Sequence, residues 1–65
     1  MTVDQILRDI DEHGLSFGCN RLNENGREQV WYARIEDYKN ARRGDTFEAA
    51  VLAAWAAYTN AETRA

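Results

Sequence analysis

The sequence predicts an α+β fold: an N-terminal helix, a two- to three-stranded antiparallel sheet, and a C-terminal alanine-rich helix packed on that sheet. Three observations carry the prediction. Val3, Ile6, Leu7 and Ile10 recur at i, i+3, i+4 and i+7, the period of one buried helix face. Leu15, Phe17 and Cys19 then alternate with Ser16, Gly18 and Asn20, the period of a half-buried strand. Phe47, Ala50, Val51, Ala54, Trp55 and Tyr58 return to helical spacing, at i, i+3, i+4, i+7, i+8 and i+11.

The first helix is expected over about residues 3–13. Thr2 and Gln5 make a capping-box pair ahead of its apolar stripe. Gly14 suits the left-handed position that closes a helix, with Leu15 able to touch Ile10 across the final turn. The outward face carries Asp4, Arg8, Asp11 and Glu12.

The first strand is expected over 15–22. Asn23-Glu24-Asn25-Gly26 reads as a hairpin turn, because Asn and Gly both tolerate positive φ. Arg27 to Ile35 reads as the second strand. Trp31, Ala33 and Ile35, with Gln29, lie on one face and continue the apolar side of the first strand, while Glu28, Val30, Tyr32 and Arg34 lie on the other. Two strands alone make a marginal sheet. Tyr38 is therefore expected to seat a short third strand near residues 37–41, the alternative being an ordered loop there, with Arg42-Arg43-Gly44 as the turn into the second helix. Asp45 is that helix's expected cap, with Glu48 reaching back to it. Beyond Asn60 the chain is expected to fray. The helices could share one side of the sheet or take one side each, since Val30 and Tyr32 make the second face partly apolar.

The 65 residues are expected to form one domain, 1–65. A chain of this length buries roughly 60% of the surface its unfolded form exposes, and one core supplies on the order of 3–5 kcal/mol. An enclosed active-site cleft does not fit that size, which weighs against an enzyme. A single cysteine excludes an intramolecular disulfide framework. The N-terminus has no signal-peptide pattern, and no apolar run reaches the ~20 residues that span a bilayer. The expected location is cytoplasmic, with no membrane partner.

Net charge is −3, and it is unevenly spread. Asp4, Asp9, Asp11 and Glu12 against Arg8 give residues 1–14 a charge of −3, residues 15–45 carry +1, and residues 46–65 carry −1. That balance disfavours a sequence-independent nucleic-acid binder, whose affinity comes from neutralising phosphates.

Candidate chemistry is sparse. His13 has no second ligand of metal-binding type beside it, and it reads as a complement to the negative end of the first helix. Cys19, on the inward face of its strand, reads as a small hydrophobe rather than a nucleophile. Asp9, Asp11 and Glu12, or Glu36 with Asp37, read as solvated surface and not as a catalytic carboxylate pair. Arg43-Gly44-Asp45 spells an integrin-binding tripeptide that is here better read as a helix entry. The four glycines lie apart and form no phosphate loop. No catalytic residue, metal or cofactor is expected.

Two surfaces remain. Asp4, Asp11 and Glu12, supported by Glu36 and Asp37, could present spaced negative charge to a basic groove on a protein partner. Trp31, Tyr32, Tyr38, Arg34, Lys39, Arg42 and Arg43 form an aromatic–basic mixture that could stack bases and hold phosphates, or supply a protein hot spot.

Trp31-Tyr32-Ala33-Arg34-Ile35, Gly44-Asp45-Thr46-Phe47-Glu48-Ala49-Ala50 and Ala53-Ala54-Trp55 resemble small phage and prophage accessory proteins, in which a helix, a short sheet and a Thr-initiated, Ala-rich helix follow in order. The chain is also similar to anti-CRISPR proteins in being short, acidic and single-domain. That resemblance implies a non-enzymatic inhibitor that binds a bacterial CRISPR interference complex and blocks target-DNA access, in some cases by mimicking DNA charge. It implies a host protein complex as partner and no cofactor. The expected state is a monomer, with a dimer as the other option. The alternative reading is a small nucleic-acid-binding or regulatory phage protein that uses Tyr32, Arg34, Tyr38, Lys39, Arg42 and Arg43. A structural phage component acting by oligomerisation is a third.

Overall fold

The structure, a computed structural model, describes residues 2–24 and 28–64, and the side chains of 2–21 and 30–61. The order is α1 (Val3–Glu12), β1 (Phe17–Glu24), β2 (Glu28–Ile35), a 3-10 helix (Tyr38–Asn40), β3 (Arg42–Gly44) and α2 (Phe47–Arg64). The predicted α+β class is the observed one.

Both ends of α1 follow their local chemistry. Thr2 Oγ1 accepts from the Gln5 N–H at 3.2 Å, relieving one of the donors that a helix start leaves unpaired. At the other end Gly14 has φ +64°, the Leu15 N–H donates to the Ile10 carbonyl at 2.9 Å, and the Gly14 N–H donates to the Asp11 carbonyl at 3.2 Å. This is the paired Schellman closure, and glycine supplies the left-handed residue without a Cβ clash.

The sheet is antiparallel throughout, in the order β1-β2-β3. Phe17 pairs with Ile35 and Cys19 with Ala33, so the apolar faces of the hairpin coincide as the alternation requires. β1 runs on through Asn23 and Glu24, which pairs with Glu28. Those two residues are strand rather than turn, and the Asn25-Gly26 signal lies outside the described residues.

The strand expected over residues 37–41 is overturned. Tyr38–Asn40 form a 3-10 helix, and the third strand is Arg42–Gly44, the segment expected to be a turn. Two side chains account for this. Asp37 Oδ1 accepts from the Lys39 N–H at 3.1 Å and caps the 3-10 helix, and buried Asn40 donates from Nδ2 to the Ile35 carbonyl at 3.0 Å. Both favour a compact turn over extended backbone. The chain re-extends at Ala41, with φ −67° and ψ 136°, and sheet pairing begins at Arg42, opposite Ala33.

Both helices cover the same face of the sheet. Ile6 and Ile10 of α1, Ala33 and Ile35 of β2, and Ala50, Val51 and Ala54 of α2 form one buried cluster. Phe47, Trp55 and Tyr58 are partly buried against it, completing the stripe predicted for α2. The cap of α2 is Thr46, not Asp45. Thr46 Oγ1 accepts from the Ala49 N–H at 3.1 Å, and the Thr46 carbonyl accepts from the Ala50 N–H at 3.0 Å. Asp45, one residue too early to make either bond, is exposed. The helix continues to Arg64, past Asn60. Gly44 lets it dock: a Cβ there would stand 2.5 Å from the Ala50 nitrogen and 2.8 Å from the Ala49 carbonyl carbon. Only a residue without a side chain allows β3 to run this close to the first turn of α2.

Candidate functional site: an acidic helix face and an open sheet face

Each predicted acid is exposed. Asp4, Asp11 and Glu12 lie on the outer side of α1, opposite the buried Ile6 and Ile10. Asp4 and Asp11 are two turns apart, about 10 Å along the axis, with exposed Arg8 between them. Glu36 and Asp37 follow β2. The Glu36 N–H donates to the Ser16 carbonyl at 2.8 Å, which ties this loop to the segment leaving α1, towards Asp11 and Glu12 rather than Asp4. Asp37 is committed to capping the 3-10 helix, so its carboxylate serves the fold.

The charges on α1 are unevenly matched to its dipole. Asp4, in the first turn, faces the positive end and is favourable there. Asp11 and Glu12 occupy the last turn, where negative charge is disfavoured, and that turn has no basic residue. His13 gives partial relief: its Nδ1 donates to the Asp9 carbonyl at 2.8 Å.

The aromatic–basic mixture is divided by the sheet. Trp31 turns to the helix side, where it meets Phe47 edge-to-face at 5.6 Å between centroids, with the Arg21 guanidinium 5.6 Å from its ring. Arg42 shares the register position of Ala33, and its Nη1 donates to the Lys39 and Ala41 carbonyls at 2.9 and 2.7 Å. Arg42 and Lys39 line a separate groove with Asn40, Ala57, Asn60 and Ala61. Neither belongs with the tyrosines.

Tyr32, Arg34, Tyr38 and Arg43 do come together, on the face the helices leave open. The Arg43 guanidinium lies 5.7 Å from the centre of the Tyr32 ring, and the Arg34 guanidinium lies 5.1 Å from that of Tyr38. Arg34 is fixed by its own bonds, from Nη1 to Ser16 Oγ at 3.3 Å and to the Glu36 carbonyl at 3.0 Å. Glu36 itself has φ 66°, a left-handed conformation unusual for a residue with a side chain, and the Asp37 N–H closes the turn around it by donating to the Ile35 carbonyl at 2.9 Å. Gly18 makes room for Arg34, since a Cβ there would stand 3.0 Å from Nη2. Gly18, Asn20, Tyr32, Arg34, Tyr38 and Ala41, but not Arg43, border a shallow groove of about 270 Å³. That falls just short of the roughly 300 Å³ at which small-molecule pockets begin.

Gly18 and Asn20 were not singled out as site residues, although the alternation of Ser16, Gly18 and Asn20 already put them on this face. Cys19, on the opposite side, packs against the core, and burial pushes its thiol pKa up, away from thiolate reactivity. Among the described residues, no three of His, Cys, Asp and Glu stand where they could share a metal ion, and no helix is long and apolar enough to cross a membrane.

No protein-family model, characterised protein or solved structure matches this chain.

Proposed function

We propose that this protein is a non-enzymatic binding module of the anti-CRISPR type, docking the outer face of α1 onto a CRISPR interference complex of a bacterial host and blocking target-DNA access. The observation that carries this reading is the pair Asp11 and Glu12 in the last turn of α1. Helix stability disfavours carboxylates at that end, yet two stand there exposed, in a turn without a balancing base. Residues that oppose a local stability rule mark sites kept for another reason. With Asp4 two turns away they form a spaced set of carboxylates on one helix face, net negative although Arg8 stands between them. Such a set meets a basic groove as phosphates would, speeding encounter and setting orientation. Glu36 extends the set beyond the end of α1, while Asp37 contributes charge but is tied to its cap.

The test is the triple reversal Asp4→Lys, Asp11→Lys and Glu12→Lys, assayed for capture by purified CRISPR interference complexes and for thermal stability. The changes at 11 and 12 improve the dipole match and offset the loss at 4, so the melting temperature is expected to stay within a few degrees of the parent. Capture is expected to disappear. A folded triple variant that is captured as well as the parent would remove this reading.

A further inference from the structure

We infer that this protein pairs with a second copy of itself along the free edge of β1, the two strands running antiparallel around a two-fold axis at Asn20. This goes beyond the acidic-helix reading and uses neither the outer face of α1 nor the open face of the sheet. β1 ends the sheet order, and among the described residues no other element runs along its outer edge. The opposite edge differs. β3 has only the 3 residues Arg42–Gly44, and the first turn of α2 sits against Gly44.

The hydrogen-bonding groups of this edge follow from the register. The Glu36 N–H donates to the Ser16 carbonyl at 2.8 Å, and antiparallel pairing then runs unbroken from Phe17 opposite Ile35 to Glu24 opposite Glu28. Residues along such a ladder alternate between bonding to the neighbouring strand and facing away from it. Ser16, Gly18, Asn20 and Leu22 therefore bond to β2, while Phe17, Cys19, Arg21 and Asn23 aim their N–H and C=O groups out of the sheet. Nothing blocks those groups. Edge strands are commonly protected by proline, lysine, a bulge or shortness. This chain has no proline, and β1 has 8 residues, no lysine and no bulge.

The strand is also complementary to itself. Outward-facing residues exchange bonds only with outward-facing residues, so two copies must match odd positions to odd positions. An axis at Cys19 or Leu22 shortens the overlap, and an axis at Arg21 sets two guanidiniums directly opposite each other, which is destabilising. An axis at Asn20 avoids both. It places Phe17 opposite Asn23, Cys19 opposite Arg21 and Glu24 opposite Ser16 of the other copy. Arg21 is already drawn away from the edge, with its guanidinium 5.6 Å from the Trp31 ring on β2. Opposed residues share a face of the sheet, so the helices of both copies stay on one side. Phe17 and Cys19, half-buried on that side in a single copy, gain a neighbouring strand.

The experiment is sedimentation equilibrium of the full chain at up to about 1 mM, where even a weak strand contact is populated. The mass is expected to rise from 7.5 kDa at high dilution towards twice that value. Arg21→Pro removes an outward N–H and leaves the ladder to β2 intact, so it is expected to stay at the monomer mass. Arg21→Ala keeps that N–H and is expected to dimerise as the parent does. Circular dichroism checks that both are folded. A second measurement does without the proline. In a Cys19→Ser background, Asn20→Cys puts a thiol on the axis, at a non-hydrogen-bonded pair whose Cα atoms stand about 4.5 Å apart, within reach of a disulfide. Oxidised glutathione is expected to convert that variant to a covalent dimer. Ser16→Cys in the same background, on the same face but further from the axis, is expected to remain a monomer. A parent that stays at the monomer mass at about 1 mM overturns the inference and leaves the edge to a foreign strand. So does a dimer that survives in folded Arg21→Pro, because the contact then lies elsewhere. Crosslinking through Asn20→Cys no better than through Ser16→Cys also overturns it, and decides the matter if Arg21→Pro does not fold.

Discussion

Gly18 and Gly44 stand in the same three-stranded sheet, on opposite faces, and the difference between them describes the molecule. Beneath Gly44 the nearest atoms are backbone of α2, at 2.5 Å from a notional Cβ. Beside Gly18 the nearest atom is the tip of an arginine, at 3.0 Å. The covered face is built from contacts that cannot yield, helix main chain against strand main chain with Ile35 and Val51 sealed between. The open face carries polar side chains over a flat surface, and beside Gly18 it is a side-chain end, not main chain, that would have to give by a few tenths of an ångström. One face therefore carries the stability, and the other can change its residues at little cost to the fold.

Substitutions on the two faces can break that contrast. Ile35→Ala, at a position with no exposure, is expected to cost about 3 kcal/mol. That approaches the whole of the on-the-order-of 3–5 kcal/mol available to a chain this size. Its melting curve should show a protein barely folded at room temperature, whereas Tyr38→Ala should melt with the parent. Gly44→Ala comes next, at about 2–3 kcal/mol, because backbone and not a side-chain end must shift. Denaturant unfolding measures it, and a loss under about 0.5 kcal/mol would mean that α2 does not sit on β3 as described. Gly18→Ala is the smallest, within about 0.5 kcal/mol of the parent, since the loss of backbone freedom in the unfolded chain offsets a small displacement of Arg34. If Gly18→Ala proved as damaging as Gly44→Ala, the open face would be as rigid as the covered one.

The candidate sites were legible in unequal measure. Asp4, Asp11 and Glu12 could be assigned to an exposed helix face because Ile6 and Ile10 define the opposite one, and a helix face is a local property. The grouping of seven aromatic and basic residues was only partly readable. Alternation along β2 separates Trp31 from Tyr32 and Arg34. Nothing local shows that Arg43 joins Tyr32 across strands while Arg42 and Lys39 turn to a different groove, because that depends on where β3 begins. Asp37 looked like a contact acid beside Glu36, and its bond to the Lys39 N–H appears only once the 3-10 helix exists.

Periodicity along the chain was enough to dictate two helices, a hairpin and the side chains each would bury, since burial selects residues at the repeat of the element itself. Gly14 and Thr2 likewise set the ends of α1 through bonds to residues no more than five positions away. What needed the assembled molecule was every decision made between distant residues. Those were the pairing of Arg42–Gly44 with β2, the placing of both helices on one side, and the meeting of Tyr32 with Arg43. Such contacts depend on which surfaces fit once the backbone is in place, and a linear pattern holds no record of that fit.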